Sequence, residues 1–379
     1  MAATGPDNAT SAPDASPAGP APTHDDAPDQ EARVTATDLG GGVWTIPVPI
    51  PDNPLGNTLV YVLESERGPV LVDAGWNDPT SLAALTSGLA SLGTSLADVH
   101  GVLATHNHPD HHGLSQAVVD ASGAWIAMHE ADAAQVEMIN SSPRAQWLER
   151  HLEVLRSAGA PQESLDALID QRTPPNAVIA KPRQLYATPN RTLVHGELAD
   201  VVGRDVRVIW TPGHTPGHVC LHLEEGIGTG SGRAGRLLSG DHLLPGITPH
   251  IGLYADDAAG GESDPLGDFL ASLARVAALP VTGVLPAHQH LFDDAAGRAD
   301  EIVAFHERRL ASLLTQLQTA PRTLWEIAAG MEWNRPWSEL GAQNRQVAVS
   351  EAAAHLRHLV KRGQAGAVAL DDPIRYTTT

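Results

Sequence analysis

Short apolar stretches rich in branched and aromatic residues, separated by polar turns, dominate the first third of the folded sequence. Residues 43–48 and 57–63 predict strands on that composition. Residues 69–75 predict a third strand, ending in Asp73 and the turn residue Gly75. Residues 79–92 predict a helix capped by Asp78. A buried strand follows around Val102 and Leu103, then a helix over 114–120. Strand and helix alternating through short connections indicate an α/β layer architecture. Between residues 131 and 170 the pattern turns helical, with Ala133, Val136, Trp147, Leu148, Leu152, Leu155, Leu165 and Leu168 supplying apolar faces. We read residues 131–189 as a helical insertion whose last part is a proline-bearing loop. Such an insertion serves equally as a lid or as packed surface elaboration. Strands resume at 205–210, 219–225 and 236–242, with a flexible hairpin loop at 226–235; a helix at 265–279 and a strand at 281–286 follow. Helices over 300–318, 323–329 and 347–362, the last closed by Gly363, precede a small hairpin at 367–370 and 374–376.

Four of these strands end in metal-ligand chemistry. The run from Val102 to Gly113 holds His106, His108, Asp110 and His111. Their spacing cannot place them on one helix face, but a loop at a strand end lets them converge. His214 follows the second-half strand at 205–210 in a Thr-Pro-Gly-His turn, Asp241 follows Ser239 and Gly240, and His288 follows the strand ending at Pro286. Imidazole and carboxylate suit zinc and other transition metals. Five histidines and two aspartates suffice for two adjacent ions sharing one carboxylate. Such a pair traps a bridging hydroxide and polarises a carbonyl or phosphoryl oxygen, giving hydrolysis without a protein nucleophile.

Composition narrows the setting. The chain has 379 residues and a net charge of −21, a balance that works against phosphate-backbone binding as the main activity. Its one cysteine, Cys220, lies in an alternating apolar run, which indicates packing rather than catalysis and fits a reducing compartment. No signal-peptide pattern or bilayer-length apolar run is evident, so the cytoplasm is the expected location. Residues 1–33 are rich in Ala, Pro, Asp, Gly and Thr and predict a disordered tail.

Together, Thr-His-Asn-His-Pro-Asp-His-His-Gly, Thr-Pro-Gly-His, Ser-Gly-Asp and the late histidine resemble the metallo-β-lactamase-fold hydrolase superfamily over residues 34–292. The resemblance implies an αββα sandwich over 34–299. It implies His106, His108 and His214 on one ion, Asp110, His111 and His288 on a second, and Asp241 bridging. Asp110 and Asp241 thereby carry the catalytic roles, and Asp73 supports the ligand loop. Two zinc ions are expected, the same donors also suiting iron or manganese. His108 stands where the di-iron, oxygen-reducing branch has glutamate, which favours zinc and hydrolysis. His112, His218, His242 and His290 do not match ligand positions. Pro-Ala-His-Gln departs from the usual Pro-Gly-His-Gly and leaves His290 as a rival to His288; the place of His288 two residues after the proline favours it.

Three helices and a hairpin over 300–379 resemble the winged-helix domain of the β-lactamase-like protein 2 branch, which includes ribonucleases. That segment is close to charge balance, its one mildly basic stretch being His355, Arg357, His358, Lys361 and Arg362. The expected activity is therefore hydrolysis of a carbonyl-type small molecule, a thioester (glyoxalase II-like) or a lactone, with a phosphodiester or RNA hydrolase as the alternative. The expected partner is the small-molecule substrate, not nucleic acid or membrane, with a homodimer as the assembly left open. Tyr254 and His242 are candidates for a general acid.

Overall fold

The computed structural model describes residues 34–172, 186–225, 233–254, 262–369 and 373–379. The tail expected over 1–33, part of the 131–189 insertion and most of the 226–235 loop lie outside these residues. Val34 to Thr379 forms a single compact unit.

Two sheets build the centre. The first runs β1 (Thr37–Asp38), β2 (Val43–Pro49), β3 (Asn57–Leu63), β4 (Val70–Val72), β5 (Gly101–Leu103), β6 (Trp125–Met128) and β7 (Arg191–Thr192), in that spatial order. It is antiparallel up to β4 and parallel from β4 to β7. The second has the order β11-β10-β9-β8, from β8 (Val206–Trp210), β9 (Val219–Glu224), β10 (Gly235–Gly240) and β11 (Val281–Pro286). Here β10 pairs β11 in parallel and β9 antiparallel.

Period-two alternation assigns each side chain to a layer. Tyr61, Leu63, Val70, Val72 and Leu103 face Val206, Val208, Val219, Leu221 and Leu223 across the space between the sheets. Val60, Val62, Leu71 and Val102 point the other way, onto Leu85 and Leu89 of α1 (Pro79–Ser91) and Val118 of α3 (Ser115–Ser122). Asp78 caps α1 by accepting from the Thr80 amide. On the outer face of the second sheet, Ile209, Cys220 and Leu237 pack with Phe269 and Leu273 of α7 (Pro265–Ala277). Helix, sheet, sheet and helix thus form the expected four layers.

The short strand β6 was not expected: its four residues, all buried, carry no alternation and sit between two helical stretches. The insertion supplies α4 (Glu130–Ser141), α5 (Arg144–Ser157) and α6 (Gln162–Arg172). Leu152, Leu155, Leu165 and Leu168 from α5 and α6 join the same core as α8 (Ala295–Thr319) and α10 (Ala342–Lys361). Helix α8 begins at Ala295 and so spans the boundary expected at 299/300. Beyond it come β12 (Arg322–Thr323), α9 (Leu324–Gly330), α10, β13 (Ala365–Ala369) and β14 (Arg375–Thr378), the strands pairing in the order β12-β14-β13.

Candidate metal centre

The C-terminal ends of β4, β5, β8, β10 and β11 lie along one edge of the sandwich, held together by backbone bonds between their loops. The Val219 amide donates to the Thr105 carbonyl at 2.9 Å and that of Ala287 to Gly240 at 3.1 Å. The Tyr61 hydroxyl donates to the Pro286 carbonyl at 2.7 Å. After β5 the chain turns into α2 (Pro109–His112), a single turn that places Asp110 and His111 beside the two preceding histidines.

Two clusters result. His106, His108, His214 and Asp241 present ligand atoms within 4.8 Å of one another, and so do Asp110, His111 and His288. Asp241 faces both. Its Oδ2 lies 3.4 Å from His214 Nε2, while Oδ1 lies 3.4 Å from His111 Nε2 and 3.2 Å from His288 Nε2. Asp110 Oδ2 stands 3.4 Å from His288 Nε2 and 3.6 Å from His111 Nε2. His106 Nε2 and His108 Nδ1 converge to 3.0 Å. Two donors on one tetrahedral zinc, each about 2.0–2.1 Å from the ion, stand about 3.4 Å apart. The spacing therefore suits ligands sharing an ion.

Hydrogen bonds decide which ring nitrogen is free to bind. His111 Nδ1 donates to Asp73 Oδ2 at 2.8 Å, His214 Nδ1 to the His250 carbonyl at 2.8 Å, and His288 Nδ1 to the Asn57 carbonyl at 2.9 Å. Carbonyls and carboxylates only accept, so each Nδ1 carries a proton and each Nε2 is the atom left to bind a metal or a second proton. Thr105 Oγ1 sits 2.9 Å from Asp73 Oδ2 and 3.0 Å from His106 Nδ1, spending its proton on the carboxylate and accepting from the imidazole. Asp73 thus orients two rings, one directly and one through Thr105. The Nε2 atoms of His111, His214 and His288 and Oδ1 of Asp241 are buried without a hydrogen-bond partner. Orphaned acceptors of this kind are costly unless something positive meets them. A divalent cation fits.

Charge points the same way. Burial, reinforced by neighbouring imidazoles, holds His106 well below its ordinary pKa, and burial first of all brings His108 to about 3. Both rings stay neutral, the form that can bind a metal. Burial also resists protonation of His111 and His288, but the carboxylates Asp241 and Asp110 overcome it, lifting His111 well above the usual range and His288 to about 10. Burial likewise opposes ionisation of Asp110, yet His111 and His288 hold its carboxyl at about 2. The pocket demands positive charge, from protons or from metal.

His218, His112, His242 and His290 occupy other positions. His218 Nε2 accepts from the Asp241 amide at 3.1 Å and its Nδ1 meets Thr211 Oγ1 at 2.8 Å, so it fixes the backbone of Asp241. His112 is buried between the Ala187 carbonyl and the Ser115 hydroxyl. His290 is exposed, whereas His288 is fully buried in the second cluster. His242 lies against Phe269 and His218, and burial brings it to about 3. Fully buried and neutral, its ring is a poor proton donor at neutral pH. Tyr254 is half-buried at the edge of the described residues. Cys220 is buried, its thiol pushed up to about 12 by desolvation, which suits packing.

Sequence reasoning missed Asp132. This fully buried carboxylate on α4 accepts from the Asn107 amide at 2.9 Å and the Thr215 hydroxyl at 2.8 Å through Oδ2, and from the Gly217 amide at 2.6 Å through Oδ1. It ties the loop bearing His106 and His108 to the loop bearing His214. The available signal was an acid in a helix first turn just after a strand, which is too common to single out.

Fold and site define a metal-dependent hydrolase built on an αββα sandwich. Residues 53–288 match the model of the metallo-beta-lactamase superfamily, and the chain belongs to it. A probable metallo-hydrolase of Bacillus subtilis, YqjP, is 25% identical over 321 residues, covering 83% of this chain and 91% of the relative. Among solved structures, a metallo-beta-lactamase family protein of Thermus thermophilus is 31% identical with a TM-score of 0.69, covering 90% of this chain and 100% of its own. A beta-lactamase domain protein of Burkholderia ambifaria is 25% identical with a TM-score of 0.73, covering 91% and 94%.

Proposed function

We propose a dinuclear zinc hydrolase that cleaves a carbonyl-type small molecule, a thioester or a lactone, in the cytoplasm. One observation carries the dinuclear reading: the two oxygens of Asp241 face different clusters, at 3.2–3.4 Å. His106, His108 and His214 would hold one ion, Asp110, His111 and His288 the other, and Asp241 both. Bound there, the ions supply a Lewis acid for the substrate carbonyl and bring the pKa of a water towards neutrality. The chain's own part is orientation. Asp73, Thr105, Asn57 and His250 aim the imidazole lone pairs, and His218 and Asp132 hold the loops that bear them. A thioester suits the site because thiolate leaves without needing a proton donor, and the buried, neutral His242 is a poor one.

The phosphodiester alternative rests on domain order. We read residues 300–379 as a winged-helix-like module, but its mildly basic stretch is engaged internally. Arg362 pairs with Glu307 at 2.8 Å, Lys361 donates to the Glu262 carbonyl, and His355 and His358 are buried. That favours a packing role over a nucleic-acid face. Metal analysis of the purified protein, run with acyl-thioesters, lactones, β-lactams and single-stranded RNA, tests the reading. Two zinc equivalents and thioester or lactone turnover are expected, with both lost in Asp241→Ala. Less than one equivalent of transition metal, or turnover of RNA alone, sinks it.

A further inference from the structure

The loop after β10 carries an unusual load. The carbonyl of His250 accepts the Nδ1 proton of His214 at 2.8 Å, while the side chain of the same residue reaches away from the site, its Nδ1 lying 3.1 Å from Glu351 Oε2 on α10. Glu351 is gripped on its other oxygen by Arg309 of α8, at 3.0 Å from Oε1. Arg309 is fixed in turn over the rings of Phe305 and Trp333, 5.3 and 4.7 Å from their centroids. Two positions on, the backbone of Gly252 runs so close to α10 that a Cβ there would come within 2.5 Å of Ser350 Oγ. Ile251, between them, is fully buried in the core shared with Val349 and Ala352.

We propose that Glu351, acting through His250, is a positioning residue for His214, so that the C-terminal helices set the geometry of one metal position. The proposal rests on the reading of His214 as a metal ligand. Its logic is mechanical. Every other imidazole whose Nδ1 is pinned in the two clusters is held from within the sandwich, by Asp73, Thr105 or Asn57. His214 alone among them depends on a carbonyl in a loop whose anchor belongs to a different part of the chain. Burial opposes ionisation of Glu351, but the hydrogen bond and charge of His250 and the charge of Arg309 hold its carboxyl at about 2, so the anchor remains anionic across the neutral range. If the His250 side chain is released, its carbonyl drifts, the His214 ring rotates, and only the cluster of His106, His108 and His214 loosens. Partners of this kind typically govern metal affinity by about 10–100-fold.

The test compares His250→Ala, Glu351→Ala and His250→Asn in the full-length chain. The Asn amide nitrogen takes the place of imidazole Nδ1 and can still donate to Glu351. Two measurements are made: stepwise zinc affinity by chelator competition, and the visible spectrum of the cobalt-substituted protein. His250→Ala and Glu351→Ala should weaken one of the two binding steps about tenfold or more and change the cobalt bands of that position, leaving the other step unaltered. His250→Asn should restore both. Wild-type affinities and spectra in His250→Ala and Glu351→Ala, or equal weakening of both steps that His250→Asn fails to rescue, overturn the positioning role. Wild-type protein that binds no transition metal at all refutes the metal reading itself, a distinct outcome. Because His250 is part-exposed, its variants test the proposal even if Glu351→Ala is poorly folded.

Discussion

Gly240 offers the sharpest test of how the site is built, because one methyl group there strikes two of its supports. The residue ends β10 at φ +51, immediately before Asp241. A Cβ at this position would lie 2.7 Å from His218 Nε2 and 3.0 Å from both Cβ and Oγ1 of Thr105. Neither neighbour can yield cheaply. His218 Nε2 accepts from the Asp241 amide, and Thr105 Oγ1 links Asp73 to His106. Holding a side chain in left-handed backbone costs about 1–2 kcal/mol, and overpacking a tight interior about 1–3 kcal/mol. Gly240→Ala should therefore lose about 2–5 kcal/mol of unfolding free energy in urea titration. Loss should fall on metal content as well, since relief of either clash moves Asp241 or His106. A helix control such as Ser87→Ala avoids these supports, the Ser87 hydroxyl donating to the Val34 carbonyl instead. A Gly240→Ala protein with wild-type stability and full metal content would refute the claim that the ligand loops are packed without slack.

Other perturbations bear on the same site. Asp132→Ala leaves the Asn107 and Gly217 amides and the Thr215 hydroxyl without their acceptor, each at a cost of about 1–3 kcal/mol. The expected result is a lower denaturation midpoint together with reduced turnover, and an unchanged midpoint counts against the clamp. Asp73→Asn weakens the hold on His111 and Thr105, and about a 10–100-fold fall in metal affinity is expected by chelator competition. Metal binding should also depend on pH with a definite sign. In the metal-free protein His288 titrates at about 10 and His111 well above its usual range, so below those values binding displaces protons. Affinity should rise with pH, by about tenfold per unit for each proton displaced, and a flat profile from pH 6 to 9 contradicts the charge balance described. For the metal-free chain the sign reverses. Stability from the raised His288 pKa is fully present below the unfolded value of about 6.5 and is lost as pH rises towards 10; pH-dependent urea midpoints, compared with those of His288→Gln, would show it.

Some of this was legible in the amino-acid order and some was not, for physical reasons. His106, His108, Asp110 and His111 announce themselves because their donors lie within six residues and no helix face could use them otherwise. The boundaries of β2, β3 and β11 follow from local composition, and Asp78 caps its helix as its chemistry suggests. β6 escaped because four buried residues carry no periodicity. Asp132 and Glu351 escaped because their meaning is entirely tertiary. Each is an ordinary helix acid until folding brings a loop amide or a distant histidine against it. The C-terminal helices read correctly as helices, yet nothing local shows that they share one apolar core with the insertion and the second sheet.

The division of candidate ligands between the two sheets has a consequence for how the molecule comes together. Asp73, His106, His108, Asp110 and His111 follow strands of the first sheet, while His214, Asp241 and His288 follow strands of the second, more than a hundred residues later in the chain. Neither cluster exists until both halves have folded and closed face to face. Ions held there would act as a clasp between two halves rather than as ornaments on a finished scaffold. At a hundredfold excess over the dissociation constant, a ligand bound only by the closed form adds about 2.7 kcal/mol to its stability. Metal supply would thus govern how long the closed chain persists as well as how fast it turns over.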